Sequence, residues 1–197
     1  VMLIYPGPAF STLDVADGAR AGLNAQGVAV VPYLYHEEIT FMAGVEQQLS
    51  GTDQERFGAL TLRASDRAVV LALASRPDLV LAVSGTVFPP EVSAMLGQWT
   101  PTAVWLTESP YQAEQELVIQ NHYRVCFTNE RAFVPVIEDR RLRDGHAYPH
   151  LVSYLPHGYD PERHYPRDPE EQYRCDVLFI GSPFPERDGA LKAGRPV

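Results

Sequence analysis

Two residues in this chain combine the chemistry and the setting of catalytic groups. Glu108 follows the apolar run Ala103-Val104-Trp105-Leu106 and precedes Ser109-Pro110-Tyr111, so its carboxylate falls between a strand end and a helix start. A carboxylate so placed can take a proton from a hydroxyl, or it can simply complement a helix dipole. His157 lies between Pro156 and Gly158, where a tight turn presents its imidazole as acid, base or ligand contact, or leaves it merely exposed. Small and polar residues follow the other apolar runs: Gly7 and Ser11, Ser84 and Gly85, Tyr111, Asn129, and Tyr159. Hydroxyls, an amide and close-approach glycines at strand ends suit a polyhydroxylated ligand, although any one Ser, Thr or Asn there can serve as a helix cap. Farther on, Asp176-Val177-Leu178-Phe179-Ile180 runs into Gly181-Ser182, a turn able to receive a phosphate.

The elements that would carry these residues alternate. Strands are expected at Met2–Tyr5, Val28–Tyr33, Leu79–Val83, Ala103–Leu106, Arg124–Phe127 and Leu151–Leu155. Most are continuous apolar runs, the pattern of parallel strands covered on both faces. Between them, Thr52 and Glu55 have capping-box spacing, and Phe57, Leu60, Ala64, Ala68 and Leu71 repeat at helical intervals until Arg76-Pro77-Asp78. Gly27 suits a helix C-terminus, and Pro90 and Pro110 suit first helical turns. Thr128 is expected to cap a helix that Pro135 kinks or shortens. The fold class that follows is α/β, a doubly wound and mostly parallel Rossmann-like sheet whose ligands bind at the carboxyl ends of the strands. Pro161, Pro166 and Pro169 with Glu162, Glu170 and Glu171 mark a linker. The organisation expected is thus a domain over 1–160, a linker over 161–175, and the start of a second domain over 176–197.

Composition narrows the function. With 16 Lys+Arg against 25 Asp+Glu, a net charge of -9 and no basic run, nucleic acid is not an expected partner. No apolar stretch approaches the ~20 residues that span a bilayer. Cys126 and Cys175 are far apart and form no CxxC pair, which fits a reducing cytoplasm. His146 and His150 are spaced for a metal on a helix, but Pro149 between them argues against that helix, so no metal is expected. GxxxxGK[ST], GxGxxG and GxSxG are all missing, which removes the phosphate-loop, ordinary NAD and α/β-hydrolase signatures. No Asp-x-Asp pair is present to hold a sugar nucleotide through a metal.

Leu155-Pro156-His157-Gly158-Tyr159-Asp160-Pro161, followed by Tyr165-Pro166, resembles the segment that closes the N-terminal domain of two-Rossmann-domain (GT-B) glycosyltransferases. Asp176–Gly181 with Glu186-Arg187 resembles the first strand and turn of their donor domain. Trp105–Pro110 and Phe127–Glu130 are most similar to the CgeB-like (spore-maturation) branch, in which the carboxylate after the fourth strand is often Asp. The resemblance covers the whole chain in layout, with its specific motifs from about Trp105 onward. It implies transfer of a sugar from a nucleotide-sugar co-substrate to a hydroxyl acceptor without metal or further cofactor. The acceptor would sit on the N-terminal domain, with Glu108 and His157 catalytic. Gly181 and Ser182 would meet the donor diphosphate at a helix N-terminus, and Arg187 would neutralise the leaving group. After Leu191 only Lys192-Ala193-Gly194-Arg195-Pro196-Val197 follow, so the donor half is expected to be incomplete and this portion inactive alone. The alternative is a glycan-binding module, or a partner module that self-associates or complements a separate donor domain.

Overall fold

The computed structural model describes residues 1–6, 12–45, 53–108, 111–162, 164–168 and 170–176, without the side chains of 45, 53, 54, 56 and 57. Expectations that fall on Gly7, Ser11, Thr52, Ser109, Pro110, Gly181, Ser182 and Arg187 lie outside the described residues.

Six strands form one all-parallel sheet: β1 Met2–Ile4, β2 Val31–Tyr33, β3 Val80–Val83, β4 Thr102–Leu106, β5 Val125–Thr128 and β6 Val152–Tyr154. Their order is β2-β1-β3-β4-β5-β6. The central strands are apolar on both faces, and β1, β3 and β4 are buried along their whole length. All six arise where the apolar runs predict them. The second is shorter than the run over Val28–Tyr33, because Val28 closes the preceding helix instead. Val28 N–H donates to Leu23 C=O at 3.0 Å and closes the end of helix α1 (Thr12–Ala25), with Gly27 at φ 76 in the left-handed turn. Ala29 C=O accepts from the Val1 amine at 2.8 Å and Val31 N–H donates to Val1 C=O at 2.9 Å, so pairing with the β1 side already begins at 29–31.

Crossover handedness distributes the helices. Strand–helix–strand units with parallel strands are right-handed, so the direction of travel across the sheet decides which face a helix covers. Only the step from β1 to β2 runs leftward. The helix on that step, α1, packs Leu13, Val15, Ala16 and Ala19 against Leu3, Tyr5, Leu81, Val83, Ala103 and Trp105. Every other step runs rightward and delivers its helix to the opposite face. There, α2 (Tyr35–Val45), α3 (Asp53–Ser75), α4 (Pro90–Leu96), α5 (Ala113–Ile119) and α6 (Val134–Arg143) pack around Met2, Ile4, Val80, Val104, Leu106 and Cys126.

Two local features depart from the sequence expectations. Helix α2 has no strong apolar periodicity to announce it. It is held by Tyr35 and Ile39 on the core and starts where Leu34 C=O accepts the N–H groups of Glu37 and Glu38. The region after β5 is also corrected. Glu130 caps a short 3-10 turn at Arg131–Phe133 by accepting Ala132 N–H at 3.0 Å, while Thr128 Oγ1 receives Glu130 N–H at 3.3 Å. Pro135 then stands in the first turn of α6, where no N–H is required, and starts that helix rather than kinking it. Arg76, at φ 45, ends α3 as the Arg-Pro-Asp sequence requires.

Arg141 of α6 is fully buried, with 0% exposure. Its Nε donates to Gln120 Oε1. Its Nη2 donates to Gln120 C=O at 2.8 Å and Tyr123 C=O at 3.0 Å, and its Nη1 lies 3.3 Å from the carbonyls of Arg124, Tyr148 and Leu151. One guanidinium therefore satisfies carbonyls from the chain entering β5 and the chain entering β6. This matters because buried carbonyls left unpaired are costly.

The chain divides into two compact units, Val1–Asp160 and Pro161–Val197. In the second, the described residues include a 3-10 turn at Glu171–Tyr173 with Arg174 paired to Glu171 at 3.2 Å. No helix among the described residues is long and apolar enough to cross a membrane. Replacing Arg141 with Met keeps the stem but strips every donor. It is expected to lower unfolding free energy by at least about 3 kcal/mol, read as a fall in the urea midpoint; an unchanged midpoint contradicts the hub role.

Candidate functional site

Strand order reverses between β1 and β3, and in open α/β sheets that switch point opens a crevice outside the strand carboxyl ends. Here the crevice is only a shallow hollow, bounded by Tyr5 and Pro6 on one side, Gly85, Thr86 and Val87 on the other, and Tyr35 and Phe88 behind.

The floor of the crevice is a strained turn. Ser84 N–H donates to Trp105 C=O at 2.8 Å as the last rung between β3 and β4, and Gly85 N–H then turns back to Val83 C=O at 2.8 Å. That bond spans two residues, and Ser84 at φ 64 places it in the rare γ-turn of positive φ. Gly85 follows at φ 71. A Cβ there would meet Ile119 Cγ2 and Val104 Cγ2, each at 3.1 Å. Both the backbone angle and the packing demand glycine. Ser84 Oγ and Thr86 Oγ1 lie 2.6 Å apart and bridge the turn. Non-glycine strain of this kind clusters at functional sites.

Tyr35 backs the crevice. Its hydroxyl lies 3.1 Å from Thr61 C=O and 3.0 Å from Val87 C=O, and it accepts from Ser65 Oγ at 3.3 Å. Desolvation pushes its pKa up to about 12. Tyr5 at the end of β1 is likewise raised to about 12, first by burial and then by its hydrogen bond to Asp17 at 2.8 Å.

The rim continues along β4, β5 and β6. Glu108 is half-buried. Its N–H donates to Glu116 Oε1 at 2.9 Å, and its C=O accepts Tyr111 N–H at 2.8 Å. Glu116 is a carboxylate at 3% exposure on α5, and it fixes the turn that carries Glu108. Asn129 knits the neighbouring loop to the same turn, N–H to Leu106 C=O at 3.2 Å and Nδ2 to Thr107 C=O at 3.3 Å. Tyr111 and Tyr159 are 84% and 73% exposed, open aromatic faces on the rim. His157 is exposed, with its ring 5.9 Å from that of Trp105.

The residues singled out in the sequence thus fall into groups. Ser84 and Gly85 shape the switch-point crevice, and Glu108 and Asn129 share one loop cluster. His157 stands on Trp105, and among the described residues it does not hydrogen-bond Glu108. His146 and His150 part company: His146 Nδ1 accepts Tyr148 N–H at 3.0 Å, and His150 pairs with Glu138 at 3.5 Å. Sequence reasoning missed Glu116, Tyr35 and the anchoring role of Trp105. Glu116 had a signal, since it falls on the same helical face as Ala113 and Gln120, where a carboxylate must be held.

No protein-family profile matches this chain, and no curated protein sequence matches it.

Gly85→Ala is expected to cost about 1–3 kcal/mol in unfolding free energy, measured by denaturant titration; a cost below about 0.5 kcal/mol would mean the turn relaxes freely. Tyr35→Phe tests the crevice wall through pH. A tyrosine whose folded pKa is raised to about 12 favours folding fully below its unfolded value near 10, and loses that contribution as pH climbs toward 12. The variant is therefore expected to be less stable at pH 7 by about 1 kcal/mol, yet to decline less steeply between pH 10 and 12. Parallel declines in the two proteins would remove Tyr35 from the linkage.

Proposed function

We propose that this chain is the acceptor-side portion of a metal-independent glycosyltransferase, taking a sugar from a nucleotide-sugar to a hydroxyl acceptor. The observation that carries the proposal is the polar rim at one end of an all-parallel sheet. Ser84 and Thr86 lie at the switch point, Glu108 and Asn129 lie in one loop cluster, and His157 and Tyr159 follow β6. The sequence resemblance from Trp105 to Arg187 supports the same reading.

In this scheme the acceptor lies along the carboxyl ends of β3 to β6. Exposed tyrosines at 111 and 159 offer apolar faces to sugar rings, and backbone and hydroxyl groups at 84–86 bind ring hydroxyls. Glu108 is the base. Its carboxylate accepts the proton of the acceptor hydroxyl as that oxygen forms a bond to the donor's anomeric carbon and the nucleoside diphosphate departs. Glu116 holds the Glu108 backbone, so the base is aimed by a buried carboxylate rather than left on a mobile turn. His157 contacts the acceptor or the departing phosphate. The donor-side contacts fall to Gly181, Ser182 and Arg187.

The test is glycosyl transfer by the full-length protein from a panel of labelled UDP-, GDP- and TDP-sugars to hydroxyl acceptors. Glu108→Ala and His157→Ala are each expected to lower turnover about 10²-fold or more, the usual contribution of a positioned acid or base. Turnover unchanged by both substitutions would contradict the residue assignments. Transfer that is lost on chelation and restored by a divalent cation would contradict the metal-independent mechanism.

A further inference from the structure

Past β6 the chain stays laddered to β5, with Leu155 N–H donating to Thr128 C=O at 2.9 Å, and the carbonyl of the same residue meets a side chain of β4. Trp105 of β4 pairs with Phe127 of β5, which pairs with Ser153 of β6, so β4 and β6 lie two strands apart, about 10 Å. Yet Trp105 Nε1 donates to Leu155 C=O at 2.9 Å. Two residues later the His157 ring stands 5.9 Å from the Trp105 ring, with the planes at 66°, an edge-to-face contact. Trp105 is 7% exposed while His157 is open to solvent.

We infer that Trp105 is the positioning residue of His157. A buried indole N–H requires an acceptor, and the first carbonyl beyond β6 supplies it. With the Leu155 N–H already held by Thr128 C=O, that bond fixes the Leu155 carbonyl from which 156–157 continue, and the flat indole then limits the imidazole to one side of its turn. A histidine between proline and glycine would otherwise sample many orientations, and a working group must be held by packing around it. The arrangement also explains why a tryptophan stands in β4 on the α1 side. Helix α1 packs on that face together with Trp105, and the indole edge beyond it meets the 155–157 segment. The functional meaning of this positioning rests on the proposed saccharide role of the rim; the geometry itself is tested apart from it.

Trp99 is 55% exposed and gives an internal reference for Trp105, and His150, on the surface, gives one for His157. In the wild-type protein, NMR is expected to show nuclear Overhauser contacts between the Trp105 and His157 ring protons. His157 ring shifts should be displaced from those of His150. The Trp105 indole N–H should exchange at least about tenfold more slowly than that of Trp99. Trp105→Phe keeps a ring but removes the donor; it is expected to move the His157 ring resonances toward the His150 positions while far-ultraviolet circular dichroism stays unchanged. His157 resonances unmoved by that substitution would overturn the inference. Should the variant not fold, the wild-type spectra decide: missing ring contacts, or equal exchange of the two indoles, overturn it. Adding N-acetylglucosamine or UDP-glucose to the wild-type protein and following His157 addresses the proposed function separately, since a silent titration leaves the Trp105 result standing.

Discussion

The single reversal of direction in the path across the sheet is the constraint from which the site follows. Parallel strands force right-handed crossovers, so one leftward step and four rightward ones send α1 to one face and α2 to α6 to the other. The reversal separates the segments leaving β1 and β3 and opens a crevice between them. No side chain chooses that location. Side chains decide only what lines it, and here they supply a strained Ser84-Gly85 turn, paired hydroxyls and two tyrosines with raised pKa values.

Strand β4 carries much of the remaining organisation. Its Trp105 holds the segment beyond β6, and the turn that follows β4 presents Glu108 with Glu116 behind it. On the side where the strands begin, Arg141 gathers carbonyls from the approaches to β5 and β6. A buried cation at the amino ends and a half-exposed carboxylate at the carboxyl ends divide the labour. One end is closed by satisfied backbone, and the other stays open with polar groups available.

How far the sequence foretold this depends on the range of the physics involved. Strand positions were legible because buried parallel strands must be apolar on both faces, as at Val80–Val83 and Thr102–Leu106. Helix ends at Gly27, Arg76 and Pro90 were legible because backbone angles and missing N–H groups act locally. Helix α2 escaped because it buries little beyond Tyr35 and Ile39, so its register is set by tertiary contact. The cap after β5 went to Glu130 rather than Thr128, since both side chains can accept and only the turn geometry decides between them. Of the candidate site, the strand-end residues were readable from topology. The supports, Glu116 under Glu108 and Trp105 under His157, join residues 8 and 52 apart along the chain and were not.

The proposed activity therefore depends on a property of the whole rim rather than on one side chain: the carboxyl ends of β3 to β6 must be where sugars bind. Backbone amide NMR of the protein titrated with free hexoses, N-acetylhexosamines and nucleotide-sugars tests this most directly. The account predicts shifts concentrated at 84–88, 107–108, 111–112, 128–131 and 155–159. Shifts confined to the amino ends of the strands, near Leu79, Pro101 and Arg124, or to the outer faces of the helices, would contradict it.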